Sequence, residues 1–258
     1  PDKGIIILGD DERKVVLKGG ITGQKVRYRI QKRRNDRYEA RIEEVIEKSA
    51  IETREPVCKN YGLCGGCSYH TLPYEEQLKL KSSQVKKMLD RVITTDYEYE
   101  EILGSPTEWE TRNKMEYAFG DSYKGGPMSL GLHKRGHFHD ILYTDDCEIV
   151  NDDFNKVLRC VFEHFNEAEI SFYNKAMYRG YLRHLLVRKA AKTGEILVAL
   201  ETSSDFITKS EKTAMEMDSL KEFLASPNAV YDKDKEQSQT EKNILKRNSR
   251  NIIRCYVV

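Results

Sequence analysis

The first fifth of the chain alternates short apolar, β-branched runs with turns rich in glycine and aspartate. Runs at residues 5–8, 15–17, 26–30 and 38–46 predict β-strands, and residues 9–11 and 18–23 predict the turns between them. Many short strands at close spacing predict a small OB-like β-barrel of the kind that often binds oligonucleotides. Within residues 26–31 apolar and polar positions alternate, and the polar ones are mostly basic, so one face of that strand is basic.

A helical period follows at residues 74–92. Pro73 precedes this segment and acidic residues lie in its first turn, as expected at a helix N-terminus. Its apolar face packs either on another domain or on its own domain, and left uncovered it would promote self-association. The apolar positions that share this face are Leu78, Val85, Met88, Leu89 and Val92.

Residues 101–226 mix both periods and predict an α+β domain. Strands are expected at residues 114–119, 128–132, 184–189 and 195–200, with a hairpin turn at 192–194. Residues 153–165 predict an amphipathic helix, for which Asn151 or Asp152 is the N-cap. The fold class predicted for the whole chain is therefore α+β, with the small barrel first.

Composition, charge and cysteine content indicate the kind of protein and its cellular compartment. The chain of 258 residues is 33% charged with a net charge of +1, so any nucleic-acid binding must come from local patches. No apolar run reaches about 18 residues, the length of a membrane span, and no signal peptide is recognisable. Six cysteines in such a chain favour a cytoplasmic protein with a metal site over a disulfide framework.

Three of the cysteines, Cys58, Cys64 and Cys67, fall within ten residues, the last two separated only by a Gly-Gly pair. Zinc and iron–sulfur clusters both prefer thiolate ligands, and each usually needs a fourth ligand. Cys147 lies at the edge of a strand or loop, whereas Cys160 falls within an apolar helix and is interpreted as core. For zinc the alternative fourth ligand is His70, which would give a Cys3His site.

Basic residues concentrate in two regions. Residues 25–41 hold eight basic and two acidic side chains, a net charge of +6 that fits phosphate binding, although a solvated hairpin tip has the same composition. In the second region arginines and lysines lie beside tyrosines, as in proteins that bind single-stranded RNA, although ordinary surface charge gives the same pattern. The residues selected as RNA contacts are Arg33, Arg34, Arg37, Arg112, Lys114 and Arg183.

Several of these motifs occur together in one order: Cys58-x5-Cys64-Gly-Gly-Cys67, Arg112-Asn-Lys114, Gly131-Leu-His133, Cys147 and Leu182-Arg-His184. Over residues 1–205 the chain resembles the bacterial uracil-C5 RNA methyltransferases that act on 23S ribosomal RNA. The resemblance implies an RNA-binding TRAM barrel and a [4Fe–4S] cluster on Cys58, Cys64, Cys67 and Cys147. It also implies a C-terminal domain that binds S-adenosylmethionine, and it supports RNA contact by Arg112 and Lys114.

The expected organisation is a TRAM-like barrel at 1–50, a cysteine loop at 51–72, a helix and linker at 73–100, an α+β domain at 101–226 and a polar tail at 227–258. After Ser204 no glycine-rich loop for the methyl donor follows, and Cys255 lacks the context of a nucleophile. The chain is therefore expected to lack catalysis by itself, as a truncated or frame-shifted form.

The function expected from the resemblance is the RNA-binding, iron–sulfur part of an enzyme that converts uridine to 5-methyluridine in 23S ribosomal RNA. The alternative is a stand-alone RNA-binding protein with a structural zinc or iron–sulfur site.

Overall fold

The computed structural model describes residues 3–8, 13–137, 139–203 and 252–257. The chain divides into two compact units. The first comprises residues 1–57 and 67–106, and the second comprises residues 58–66 and 107–258. In the described residues no helix is long and apolar enough to cross a membrane.

Four strands form the sheet in the described part of the first unit: β1 (Lys3–Leu8), β2 (Arg13–Lys18), β3 (Lys25–Arg33) and β4 (Arg37–Glu47). Their order is β1-β2-β4-β3, with β2 and β4 parallel and the other pairs antiparallel. All four predicted strands are confirmed. Strands β1 and β3 lie at the two ends of this order, so closure into a barrel stays a prediction.

One face of this sheet is apolar, and the other is mostly polar, although Ile5 and Ile7 are exposed there. Val15, Leu17 and Ala40 are buried on the inner face. After β4, the Glu52 carboxylate accepts hydrogen bonds from the Ser49 amide and from the Gln24 side chain, each at 2.8 Å. These bonds join the end of β4 to the turn before β3.

The predicted helix is α1 (Tyr74–Leu89), which ends three residues earlier than expected. None of its residues is buried, and Val85 and Met88 are 41% and 58% exposed. Part of its length is covered by residues 97–105, where the Tyr99 hydroxyl donates to the Ser82 carbonyl at 3.1 Å. The apolar face is therefore only partly covered within the described first unit.

In the described part of the second unit, six antiparallel strands form one sheet in the order β10-β9-β8-β5-β6-β7. The four predicted strands are confirmed, whereas β7 and β10 were not predicted. The strands are β5 (Lys114–Asp121), β6 (Met128–His133), β7 (Ile141–Tyr143), β8 (Leu182–Lys189), β9 (Ile196–Thr202) and β10 (Ile252–Val257).

Helix α2 (Asp152–Glu167) belongs to the core of the second unit, together with the sheet. Its N-cap is Asn151, whose side-chain oxygen accepts from the Asp153 amide at 3.3 Å. Phe154 and Leu158 are fully buried on its inner face. The α+β class is thus confirmed, and the loop before α2 carries Cys147.

Candidate metal centre and nucleic-acid surfaces

The cysteine loop of the second unit is held against the turn that follows β6. The Arg135 amide donates to the Leu63 carbonyl at 2.7 Å, and the Gly65 amide donates to the His133 carbonyl at 3.3 Å. Cys64 forms an isolated bridge with Lys134. These backbone bonds fix the position of Cys64, because its immediate neighbours on both sides are paired.

The Cys64 sulfur accepts one backbone hydrogen bond, but burial makes its environment unfavourable for a thiolate without a bound cation. The Gly66 amide donates to Cys64 Sγ at 3.3 Å, a bond that favours the charged form. Burial raises the pKa of Cys64, and the nearby Cys58 raises it further, while Gly66 and Arg135 lower it. A bound cation would lower the pKa of the Cys64 thiol, because a metal ion favours the thiolate.

Cys147 is positioned by one buried amide of α2. The Asn155 side chain accepts from the Cys147 amide at 3.1 Å and donates to the Cys147 carbonyl at 3.3 Å. Asn155 is only 7% exposed. Both peptide groups of Cys147 are thus satisfied by one side chain, and this fixes the loop while its half-buried sulfur packs against the core.

An ion pair joins the two cysteine loops. Lys59, directly after Cys58, contacts Asp146 Oδ2 at 3.0 Å and Asp145 Oδ1 at 3.3 Å. Asp146 directly precedes Cys147, so the pair tethers segments that are 86 residues apart. Nearby, the buried Tyr117 hydroxyl has no hydrogen-bond partner among the described residues. Burial and the charge of Cys147 raise the pKa of Tyr117.

The donor set fits a thiolate-bound metal in chemistry, but the described residues contain no group of three or more His, Cys, Asp or Glu side chains arranged to hold a metal ion. Cys58, Cys64 and Cys147 belong to the second unit, whereas Cys67 and the buried His70 belong to the first. Cys160 packs against the core, and burial raises its pKa to about 11. The four-cysteine site therefore stays a prediction.

Much of the predicted basic strip on β3 is neutralised by β4. Arg27 and Glu44 form an ion pair at 2.5 Å, and Lys25 and Glu47 form one at 2.6 Å. The acidic partners lie beyond residue 41, which explains why the charge of residues 25–41 alone overstated the patch.

The three arginines selected at this hairpin all have local contacts. Arg34 lies 3.6 Å from Glu39, and Arg37 lies 3.1 Å from Asp36. The Arg33 guanidinium lies 5.7 Å from the centre of the Tyr38 ring. Their role in RNA binding stays a prediction.

In the second unit, exposed basic residues gather where β5 begins. Lys114 lies directly opposite Arg188 of β8, and the Arg112 side chain donates to the Lys114 carbonyl at 3.2 Å. Like charges placed opposite each other on neighbouring strands destabilise a sheet. An anionic ligand would relieve that repulsion, so this corner suits a phosphate group.

The third RNA candidate of the second unit, Arg183, lines a separate cavity of about 480 Å³. Its guanidinium lies 4.5 Å from the centre of the Tyr173 ring, and its Nε is buried without a hydrogen bond in the described structure. His184, also in the cavity wall, contacts Glu201 at 3.1 Å. Sequence reasoning placed Arg183 beside Tyr178 and Tyr181, which do not line this cavity, and it predicted neither the cavity nor the contact with Tyr173.

Comparison with known proteins shows which proteins this chain is related to. Over 204 residues, 79% of the chain, it is 43% identical to an uncharacterized RNA methyltransferase of Clostridium acetobutylicum. It is 45% identical over 188 residues, 73% of the chain, to one of Caldanaerobacter subterraneus. This chain is a homologue of RNA methyltransferases. This chain covers 44% and 41% of those two relatives, so it spans less than half of their length. No protein-family model matches it.

The fold of this chain is also found in the solved structure of an enzyme. The crystal structure of Pyrococcus abyssi tRNA (uracil-54, C5)-methyltransferase with S-adenosyl-L-homocysteine matches with a TM-score of 0.56 and 21% identity. The match covers 83% of this chain and 49% of the enzyme. At this identity the match shows a shared fold.

Proposed function

We propose that this chain is the RNA-binding, iron–sulfur part of an S-adenosylmethionine-dependent RNA uracil-C5 methyltransferase whose substrate is 23S ribosomal RNA. The observation that carries the proposal is the homology to RNA methyltransferases over 79% of the chain. Uracil C5 as the methylated atom, and S-adenosylmethionine as the methyl donor, are supported by the fold shared with the tRNA (uracil-54, C5)-methyltransferase.

The cluster is part of this proposal. Cys58, Cys64 and Cys147 would supply three thiolates from two loops that Lys59 ties together. Cys67 joins them on sequence spacing alone, since only Gly65 and Gly66 separate it from Cys64. The cluster would supply a rigid link between these loops. The chain's own residues, Asn155 and Lys59, orient them.

The RNA-binding part of the proposal rests on the second unit's exposed cations. Lys114 and Arg188 suit a backbone phosphate, and the cavity beside Arg183 and Tyr173 suits an unstacked base. Aromatic and guanidinium groups together recognise single-stranded RNA through stacking and charge.

Deleting the gene that encodes this chain tests the proposal in cells. Mass spectrometry of digested 23S ribosomal RNA is expected to show the loss of one 5-methyluridine, while 5-methyluridine in tRNA stays unchanged. If the loss occurs in tRNA instead, the proposed substrate is wrong. If every 5-methyluridine remains, the alternative of a stand-alone RNA-binding protein is favoured.

A further inference from the structure

We infer that the outer face of the first unit's sheet is a phosphate-binding track for single-stranded RNA, formed by a row of four cationic residues, one from each strand. The residues of this cationic row are Lys3 of β1, Lys18 of β2, Arg41 of β4 and Arg29 of β3. The choice of RNA as the ligand rests on the proposed function. The row itself is a feature of strand register.

The register places the four residues side by side. Lys3 lies opposite Lys18 on the neighbouring strand, Lys18 lies opposite Arg41, and Arg41 lies opposite Arg29. All four are exposed. Their neighbours in sequence, Leu17 and Ala40, are buried on the other face, so the row is on the polar face.

This arrangement works against stability. Like charges directly opposite each other on adjacent strands repel, and the row contains three such pairs. Arg29 is relieved by Glu43, 2.7 Å away. In the described residues no ion pair is formed by Lys3, Lys18 or Arg41. Three adjacent cations without carboxylate partners are expected where an external anion binds.

The surroundings of the row carry both signs of charge. Beside it on the same face lie Lys14, Lys32 and Arg37, together with the acidic residues Glu39 and Glu43. Asp36 pairs with Arg37. Ile5 and Ile7 of β1 also lie on this face and are 63% and 64% exposed. Cations next to exposed apolar side chains suit a ligand that carries both phosphates and bases.

The dimensions fit a short stretch of RNA. Adjacent strands lie about 4.8 Å apart, so the row spans about 14 Å. With a rise of about 3.4 Å per nucleotide in a stacked strand, this length covers about four nucleotides. The row therefore offers about one cation for each phosphate along its length.

The test replaces the three cations that form no ion pair among the described residues, as Lys3→Gln, Lys18→Gln and Arg41→Gln in one variant of the full chain. Binding to a fluorescent 20-nucleotide uridine-containing RNA is measured by anisotropy across a salt series. Each phosphate contact contributes about fivefold in affinity at 0.1 M salt relative to 1 M. We expect about 100-fold weaker binding at 0.1 M salt, and a salt slope reduced by about 2.

A matched control removes the same total charge from exposed residues in and directly after α1. Its substitutions are Lys81→Gln and Lys87→Gln within the helix and Arg91→Gln just beyond its end. This control should bind RNA within about twofold of the unchanged chain. Thermal unfolding supplies a second readout, because removing repelling neighbours should leave the row variant at least as stable as the unchanged chain.

The outcomes separate the two proposals. If the unchanged chain binds RNA and the row variant binds equally well, the row inference is overturned and the proposed function stands. If the unchanged chain does not bind RNA at all, both fail. An equal loss in the row variant and the α1 control also overturns the inference, because it shows an effect of net charge rather than of this face.

Discussion

Replacing Asn155 with Ala tests how the loop of Cys147 is held in place. The change removes two hydrogen bonds, at 3.1 and 3.3 Å, from a side chain that is 7% exposed. A net hydrogen bond contributes about 1 kcal/mol, and a buried polar group left unpaired costs about 1–3 kcal/mol. The free energy of unfolding of the second unit should therefore fall by about 2–4 kcal/mol.

The single tryptophan, Trp109, lies in the second unit and reports its unfolding by fluorescence. With a urea dependence of about 2 kcal/mol per M, the midpoint should move down by about 1–2 M. Asn166→Ala is the matched control, because Asn166 is an exposed asparagine of the same helix. A midpoint for Asn155→Ala that equals that of the control would refute the role given to Asn155.

Three further predictions follow from single contacts. Gly180→Ala should lower the free energy of unfolding of the second unit by more than about 2 kcal/mol. A Cβ at this position, where φ is +110°, would lie 2.0 Å from the Phe172 carbonyl oxygen. The control Gly125→Ala, which has open space around it, should lower the free energy of unfolding by less in the same urea titration. Val85→Lys with Met88→Lys should raise the monomer fraction in sedimentation, and an unchanged fraction would exclude α1 as the contact. Because the pKa of Cys160 is about 11, its thiol is protonated at pH 8, so iodoacetamide should label it slowly there and faster towards pH 11; rapid labelling at pH 8 would contradict its buried state.

Secondary structure was the most predictable part of this chain. The alternation in residues 26–31 and the helical period before Phe165 each reflect burial on one face, and the structure confirms both elements. Strand β7 was missed because its three residues are too few to show a period. Strand β10 lies in the stretch interpreted as a polar tail, although Ile252 and Ile253 gave a short apolar signal.

The interactions that decide charge and position could not be predicted in the same way. Arg27 of β3 forms an ion pair with Glu44 of β4, and the cationic row depends on the parallel pairing of β2 with β4. Such contacts follow from register, which local sequence does not specify. The role of Asn155 could not be predicted for a related reason, because an asparagine in an amphipathic helix does not indicate which loop its side chain contacts.

The proposed iron–sulfur cluster in the cysteine loops is tested by metal analysis of the anaerobically purified chain. We predict a brown protein with about four iron and about four sulfide per chain. Serine at position 58, 64, 67 or 147, one at a time, should abolish the colour. The control Cys160→Ser should keep it, because that thiol packs against the core. A colourless protein that carries one zinc per chain would contradict the proposed cluster.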